Sequence, residues 1–303
     1  MLELNPAGKL PVLFDHTETT YMSAEARASW NLPETFTFES QAVRYGSLGE
    51  VDRPAIVLLH GTPFSSIVWR RIAPHLTRYR RVLYFDLLGY GRSEMRPNQD
   101  VSLAIQGRMF AGLLKYLGLS RPDVVAHDFG GCTALRACLL HGCEYRSLTL
   151  IDPVALAPWG SPFVRHVREH EVAFAGLPPY IHAAILPAYI AGAAFRTLSG
   201  DDLRLYIEPW IGATGQAAFY RQIAQMDQRY TDEIESRYAE IHCPVRILWG
   251  EEDSWIPLER GRDLASRIPG ATLLTVPGAG HLVQEDAPEA VVAALLSELT
   301  TQT

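Results

Sequence analysis

The sequence predicts an α/β fold: a mostly parallel β-sheet with helices on both faces and an inserted helical cap. Short apolar runs alternate with helical patterns along most of the chain, which is typical of strands joined by crossover helices. The alternation stops between about residues 155 and 240, where only helical and loop signals occur. With 303 residues, 48% of them hydrophobic, the chain can bury one large core beside such an insertion.

The individual strands and helices are predicted from the spacing of apolar residues, the length of apolar runs and the residues that end them. Residues up to about Trp30 have no clear period and are expected to form a loose arm. Residues 35–45 alternate between apolar and polar side chains, which indicates an edge hairpin strand. Apolar runs of strand length then lie at 55–59, 81–85, 123–127, 147–151, 245–249 and 271–276. Helices are predicted at 65–79, 101–117, 131–140, 258–268 and 287–299.

The chain is predicted to have three parts. Residues 1–154 and 241–303 form the two halves of the core, and residues 155–240 form the cap. Ligands bind at the carboxyl edge of open α/β sheets, so the cap is expected to cover a binding site there. The cap is rich in aromatic side chains, which favours a small apolar organic substrate.

Composition and charge exclude several classes of partner. The formal net charge is −7 and no basic block occurs, so nucleic acid is not expected to bind. The apolar runs are too short to cross a membrane, and the N-terminus lacks the features of a secretory signal. The four cysteines show no metal-ligand spacing, and we predict a cytoplasmic protein with neither metal nor cofactor. A monomer and a homodimer are both left open.

Four motifs with chemically active residues follow predicted strands. They are residues 60–63 (His-Gly-Thr-Pro), 127–131 (His-Asp-Phe-Gly-Gly), 250–253 (Gly-Glu-Glu-Asp) and 278–281 (Gly-Ala-Gly-His). In the second motif a buried strand runs into Asp128 and a glycine pair, the form of the sharp turn that presents a nucleophile. A carboxylate there favours attack on an electrophilic sp3 carbon, because it can displace a halide or open an epoxide to give an alkyl ester.

The order of nucleophile, acid and histidine along the chain gives each residue a role. Asp128 would attack carbon, and His281 would activate the water that hydrolyses the ester. Asp253 would orient the imidazole and stabilise its protonated form. The backbone N–H groups of Thr62 and Phe129 would form the oxyanion hole.

Four stretches of sequence carry a resemblance to a known superfamily: residues 60–75 (HGTPFSSIVWRRIAPH), 86–93 (DLLGYGRS), 127–131 (HDFGG) and 278–289 (GAGHLVQEDAPE). The chain resembles the α/β-hydrolase superfamily over nearly its whole length after about Thr35. Within it, the chain is similar to the epoxide hydrolase and haloalkane dehalogenase branch, which uses an Asp nucleophile. The resemblance implies an α/β-hydrolase fold and a cofactor-free hydrolase that works through an alkyl-enzyme ester.

Two positions depart from the dehalogenase pattern. Haloalkane dehalogenases carry Asn after the His-Gly pair and Trp after the nucleophile, whereas this chain has Thr62 and Phe129. Neither side chain supplies an N–H to a departing halide, and Trp159 is the alternative donor. The resemblance therefore favours epoxide hydrolysis, with a haloalkane or haloacid dehalogenase of atypical halide site as the alternative.

Epoxide hydrolases protonate the opening oxygen with tyrosines of the cap. The Ala-Phe-Tyr-Arg segment around Tyr220 resembles the element that carries one such tyrosine, so Tyr220 is assigned as the acid. Tyr180 and Tyr189 are both candidates for a second tyrosine. Phe219 and Trp159 are expected to line the substrate pocket with them.

Two alternatives stay open. Asp152, which follows the preceding strand, is a second position for the acid that orients His281. A non-catalytic homologue that binds a small ligand is the alternative function of another class. The presence of Asp128, Asp253 and His281 together favours an enzyme.

Overall fold

One eight-stranded sheet forms the centre of the computed structural model, which describes residues 30–301. In chain order its strands are β1 (Glu34–Phe38), β2 (Gln41–Leu48), β3 (Ala55–Leu59), β4 (Arg81–Phe85), β5 (Asp123–His127), β6 (Ser147–Ile151), β7 (Val245–Gly250) and β8 (Thr272–Val276). Their order across the sheet is β1-β2-β4-β3-β5-β6-β7-β8. β2 pairs antiparallel with β1 and β4, and all other neighbours pair parallel. The predicted fold class is confirmed.

All the strands and helices named here belong to the second of the chain's two units, which begins at Leu32. The loose arm expected before Trp30 lies outside the described residues. In the second unit, β5 and β6 are buried at every position. Because alternate side chains of a strand point to opposite faces, both faces of the central sheet must be covered.

The helices surround this sheet and fill one long insertion. In chain order they are α1 (Ala73–Leu76), α2 (Leu103–Tyr116), α3 (Phe129–His141), α4 (Pro162–Glu169), α5 (Glu171–Ala175), α6 (Pro179–Ala191), α7 (Gly200–Ile207), α8 (Gly212–Ala224), α9 (Arg229–Glu235), α10 (Leu258–Arg267), α11 (Val283–Asp286) and α12 (Pro288–Thr301). None of the helices within residues 30–301 has both the length and the apolar character needed to cross a membrane.

Two N-terminal elements differ from the sequence-based expectation. Residues 35–45 form parts of two strands, because the chain turns at Glu39 and Ser40, which have φ values of 46° and 61°. The helix predicted over 65–79 is instead a 3₁₀ helix (Ser66–Trp69) followed by the short α1. Pro74 lies in the first turn of α1, and a proline in the middle of a longer helix would remove one of its hydrogen bonds.

The segment between β6 and β7 contains α4 to α9, and no strand occurs in it. It belongs to the same compact unit as the sheet. The division into a core of residues 1–154 and 241–303 with a cap of residues 155–240 stays a prediction. We refer below to the segment between β6 and β7 as the insertion.

An ionic cluster centred on the buried side chain of Glu285 attaches the insertion to the part of the chain that forms the sheet. Glu285 of α11 accepts hydrogen bonds from Arg70 and from Tyr206 of α7. Arg71 Nη1 lies 2.9 Å from the other oxygen of Glu285, and Arg70 Nη2 lies 2.6 Å from Asp202 of α7. The side chain of Glu285 is 1% exposed and that of Arg71 is 41% exposed, so the network extends from the interior to the surface.

Candidate active site

The four sequence motifs meet at the carboxyl ends of the parallel strands. Residues 60–63 follow β3, Asp128 follows β5, Asp253 follows β7, and His281 follows β8. β3 and β5 are neighbours, and so are β7 and β8. Distant parts of the sequence are thereby brought to one edge of the sheet, where open α/β sheets bind their ligands.

Asp128 occupies the sharp turn between β5 and α3. Its φ of 50° and ψ of −117° are an uncommon backbone conformation for a residue other than glycine. The turn requires small neighbours: a Cβ on Gly130 would lie 2.6 Å from the carbonyl oxygen of His60. A Cβ on Gly131 would lie 2.5 Å from Cβ of Pro153. The glycine pair after Asp128 therefore allows the turn that lifts its carboxylate above the sheet.

The two carboxylate oxygens of Asp128 have different surroundings. Oδ1 accepts a hydrogen bond of 2.7 Å from the backbone N–H of Thr62. Phe129 begins α3, so its N–H has no acceptor within the helix and is the second candidate donor. Oδ2 lies 3.3 Å from Nε2 of His281. One oxygen is thus held where an oxyanion would form, and the other faces the histidine.

His281 is held by Asp253. Its Nδ1 lies 2.8 Å from Oδ2 of Asp253, whose Oδ1 accepts hydrogen bonds from the N–H groups of Trp255 (2.7 Å) and Ile256 (2.9 Å). Burial lowers the pKa of His281, but the charges of Asp253 and Asp128 outweigh it and raise this pKa well above its usual value. Nε2 of His281 faces Oδ2 of Asp128 and makes no hydrogen bond of good geometry with any described residue.

Asp152, the alternative acid, is placed differently. Its Oδ1 accepts a 3.0 Å hydrogen bond from the N–H of Gly250, and its Oδ2 has no partner within the described part of the chain. Burial and the charge of Asp253 raise the pKa of Asp152 well above its usual range, which favours its neutral form. In this geometry Asp253 orients the histidine and Asp152 does not contact it by a hydrogen bond.

A cavity of about 390 Å³ opens onto Asp128. The insertion, the turn between β5 and α3, and the loops after β3 and β7 all contribute to its wall. The lining residues are Thr62, Asp128, Phe129, Val154, Pro158, Trp159, Gly160, Ser161, Pro162, Val164, Arg165, Tyr189, Met226, Ser254, Trp255 and Ile256. Apolar side chains predominate among them, and few polar groups face a bound molecule, as is usual for small-molecule sites.

Tyr189 is the tyrosine that the structure brings into this cavity. Burial and the charge of Asp128 raise the pKa of its hydroxyl, which therefore stays protonated at neutral pH. Its ring stacks on Trp255 with centroids 5.1 Å apart, and Trp255 in turn lies 5.1 Å from the ring of His281. This aromatic row connects the insertion to the histidine.

Three other sequence-predicted site residues do not line the cavity. Tyr220 is fully buried, and its hydroxyl donates a 3.0 Å hydrogen bond to Nδ1 of His182, whose Nε2 donates to the carbonyl of Trp210 at 2.9 Å. Phe219 is fully buried as well. Tyr180 is 72% exposed on the surface. The assignment of Tyr220 as the acid is at odds with this geometry, because its proton is directed to a histidine inside the insertion.

Trp159 does line the cavity, but its indole N–H is already used. Nε1 donates a 3.0 Å hydrogen bond to Oγ1 of Thr231. The ring of Trp159 packs edge-on against Phe129 at 5.7 Å. Trp159 therefore contributes an apolar wall in this structure and no free donor for a halide.

Sequence reasoning missed two residues of the site, Trp255 and Gln222. Trp255 comes two positions after Asp253, so an aromatic residue next to the acid motif was the available signal. Gln222 of α8 accepts hydrogen bonds from Oγ1 of Thr62 (2.6 Å) and from the hydroxyl of Tyr90 (3.0 Å). It thereby ties the insertion to the loop that carries the Thr62 N–H, a contact for which the sequence offers no signal.

Comparisons with known proteins agree with this fold. The model of the alpha/beta hydrolase family matches residues 56–294. RutD of Caulobacter sp. (strain K31), whose name assigns it provisionally as a carbamate hydrolase, is 30% identical over 255 residues, which are 82% of this chain and 91% of that protein. An alpha/beta hydrolase fold protein from Burkholderia ambifaria superposes with a TM-score of 0.86 at 58% identity, over 89% of this chain and 98% of that one.

The haloalkane dehalogenase DbeA from Bradyrhizobium elkani USDA94 superposes with a TM-score of 0.73, over 88% of this chain and 97% of that chain. Its identity of 20% makes this a likeness of fold alone. The family match covers more than half of the chain, and the RutD match extends over most of both proteins. The chain therefore belongs to the alpha/beta hydrolase family, and it is a hydrolase of that family.

Proposed function

We propose that the protein hydrolyses small apolar epoxides through an ester formed on Asp128. The observation that carries this proposal is the shared cavity of Asp128 and Tyr189. A carboxylate with one oxygen held by Thr62 faces a protonated phenol across a mostly apolar space. These are the two groups that ring opening requires, a nucleophile for carbon and a proton donor for oxygen.

In the first step, Oδ2 of Asp128 attacks a ring carbon and the carbon–oxygen bond of the epoxide breaks. The oxygen leaves as an alkoxide and takes the phenolic proton of Tyr189. The product of this step is a hydroxyalkyl ester on Asp128 and a tyrosinate. Tyr189 replaces Tyr220 in this role, because the Tyr220 proton points to His182.

In the second step, His281 removes a proton from water, which attacks the carboxyl carbon of the ester. Negative charge collects on Oδ1, where the N–H groups of Thr62 and Phe129 stabilise it. Asp253 stabilises the imidazolium that forms. Collapse of the intermediate releases a glycol, and the imidazolium proton restores the tyrosine.

The halide alternative receives less support from the same cavity. A departing halide needs N–H donors, and the side chains of Thr62 and Phe129 offer none. The indole N–H of Trp159 is bound to Thr231. Because RutD is named as a carbamate hydrolase, carbamates are a third class of substrate to include in the test.

The test compares styrene oxide, 1-bromohexane and a phenyl carbamate, with glycol, bromide and phenol as the measured products. We expect glycol formation to dominate. Intact mass spectrometry of His281→Ala should show an adduct equal to the whole mass of styrene oxide, because ring opening releases no leaving group. An adduct of 1-bromohexane would lack the mass of HBr. Bromide or phenol release without glycol would overturn the proposal.

Isotope labelling separates nucleophilic attack by Asp128 from general-base catalysis. In a single turnover in H₂¹⁸O, the glycol should contain no ¹⁸O, since its new oxygen comes from Asp128. Direct attack of water on the epoxide would place ¹⁸O in the glycol. The wild-type protein is purified from unlabelled medium, so that the Asp128 carboxylate contains no ¹⁸O before the turnover.

A further inference from the structure

Three exposed side chains with metal-binding chemistry lie together on the insertion, and none of them lines the active-site cavity. They are His166, Glu169 and His170, and one ligand atom from each lies within 4.8 Å of the others. His166 and Glu169 belong to α4, and His170 caps its end and opens α5. This cluster takes no part in the mechanism proposed above.

The spacing of the three residues places them on one side of α4. Positions three and four apart on a helix are neighbours. The rings of His166 and His170 have centroids 4.8 Å apart, and Nε2 of His170 lies 4.0 Å from a carboxylate oxygen of Glu169. Val164 and Val167 are buried, so α4 turns its apolar side inward and these three side chains outward.

The charges around the cluster suit a cation. Arg168 is paired with Asp227 at 2.9 Å, and Arg165 donates to the carbonyl of Gly160 at 3.2 Å, so both guanidinium groups are engaged elsewhere. The C-terminal end of a helix carries partial negative charge, and the cluster lies at that end of α4. Glu169 adds a full negative charge.

We propose that His166, Glu169 and His170 bind a divalent transition-metal ion such as Zn²⁺, with water completing a four-coordinate site. Imidazole nitrogen and carboxylate oxygen are preferred zinc ligands, at about 2.0–2.2 Å from the metal. All three side chains are exposed, so rotation about their side-chain bonds can close the remaining gap. The spacing of the cysteines, on which the expectation of no metal rests, carries no information about this His-Glu-His cluster.

A bound ion would fix the end of α4 to His170, the junction residue before α5, whose φ of −134° interrupts the helical conformation. α4 contributes Val164 and Arg165 to the wall of the cavity. Metal binding at the surface would therefore brace one wall of the active site without contacting the reacting groups.

The test is a Zn²⁺ titration by calorimetry of protein from which any histidine tag has been removed. We expect one ion per chain, and His166→Ala or His170→Ala should each weaken binding by at least about tenfold. His75→Ala and His242→Ala, which remove exposed histidines elsewhere, should leave the titration unchanged. Equal affinity in wild type and in the double variant His166→Ala/His170→Ala would overturn the proposal.

Two further measurements identify the ligands and guard against misfolding. Electron paramagnetic resonance of Cu²⁺ at one equivalent should show coupling to two nitrogens in wild type and to one in His166→Ala. Saturating Zn²⁺ should raise the Tm of wild type and not that of the double variant, since only a ligand of the folded state stabilises it. An unchanged affinity in Glu169→Gln would overturn the three-ligand assignment.

Discussion

At the scale of single residues, the asymmetry of the Asp128 carboxylate determines what it can do. Thr62 N–H binds Oδ1, so Oδ2 is the oxygen left to attack a substrate. The space around Oδ1 is tight, because a Cβ on Gly61 would lie 2.3 Å from it. A glycine at position 61 therefore allows the loop after β3 to approach Asp128 closely enough for the Thr62 N–H to donate its hydrogen bond to Oδ1.

Tyr189 and Tyr220 offer a matched pair for testing the acid. Tyr189→Phe should lower styrene oxide opening by about 10²–10⁴-fold, the range typical of a positioned general acid. Tyr220→Phe removes only a hydrogen bond to His182, so it should cost about 1 kcal/mol of unfolding free energy and leave turnover nearly unchanged. Steady-state rates and thermal unfolding of both variants check this. The reverse order of rates would restore Tyr220 as the acid.

Asp253 and Asp152 form a second pair. Asp253→Asn should reduce turnover by about 10⁴-fold, because the amide can no longer hold His281 in the correct tautomer. Asp152→Asn should cost far less, since Asp152 makes one backbone hydrogen bond and none to His281, and its raised pKa favours the neutral form. Turnover and circular dichroism of both variants are the measurements. If Asp152→Asn were the more damaging change, Asp152 after β6 would be the acid that acts with His281.

Sequence reasoning places residues that follow strand ends better than residues on helices. Asp128 comes directly after a predicted strand, and Asp253 and His281 follow predicted strands within a few residues. The structure places His281 2.8 Å from Asp253 and 3.3 Å from Asp128. Tyr189 and Tyr220 lie on helices, where the rotation of the helix about its axis decides whether a side chain faces the cavity or the core. That rotation depends on how α6 and α8 pack, and the local sequence does not specify it.

At the scale of elements, the turn between β5 and α3 depends on contacts between backbones. Gly130→Ala would push a Cβ to within 2.6 Å of the carbonyl of His60 and 2.8 Å of that of Leu59. We expect a loss of about 1–3 kcal/mol of unfolding free energy, as in other overpacked sites. Gly200→Ala, where nothing lies within 4 Å of the new Cβ, is the control and should unfold as wild type does. Urea denaturation with equal midpoints for both variants would contradict this account.

The two elements that sequence reasoning misjudged have different causes: one lacked the usual local signal, and in the other the signal was present. The β1–β2 turn uses Glu39 and Ser40 at positive φ, where Asn or Gly is the usual indicator. The break of the helix predicted over 65–79 follows from Pro74, which fits the start of a helix and not its middle. By contrast, β3 to β6 begin and end at the predicted residues because their apolar runs are buried on both faces of the sheet.

At the scale of the whole molecule, the ionic cluster around Glu285 fastens the insertion to the rest of the fold. Glu285→Gln should lower the free energy of unfolding by about 3 kcal/mol, because Arg70 loses the more deeply buried of its two carboxylate partners and keeps only Asp202. Glu259→Gln, which changes a carboxylate that is 75% exposed, should have little effect. Chemical denaturation of the two variants measures the difference. A Glu285→Gln midpoint equal to that of wild type would show that the cluster adds no net stability.

The position of His281 between two carboxylates also sets the order of events in time. While Asp128 is ionised, its charge raises the pKa of His281 and so disfavours the neutral imidazole that acts as a base. Esterification removes that charge, so the pKa of His281 should fall and Nε2 should become able to accept a proton only after the intermediate exists. Asp128→Asn imitates the uncharged ester, and ¹⁵N NMR titration should give His281 a lower pKa in this variant than in wild type. An identical titration would mean that the charge of Asp128 does not control the protonation of His281, and that ester formation does not release the base.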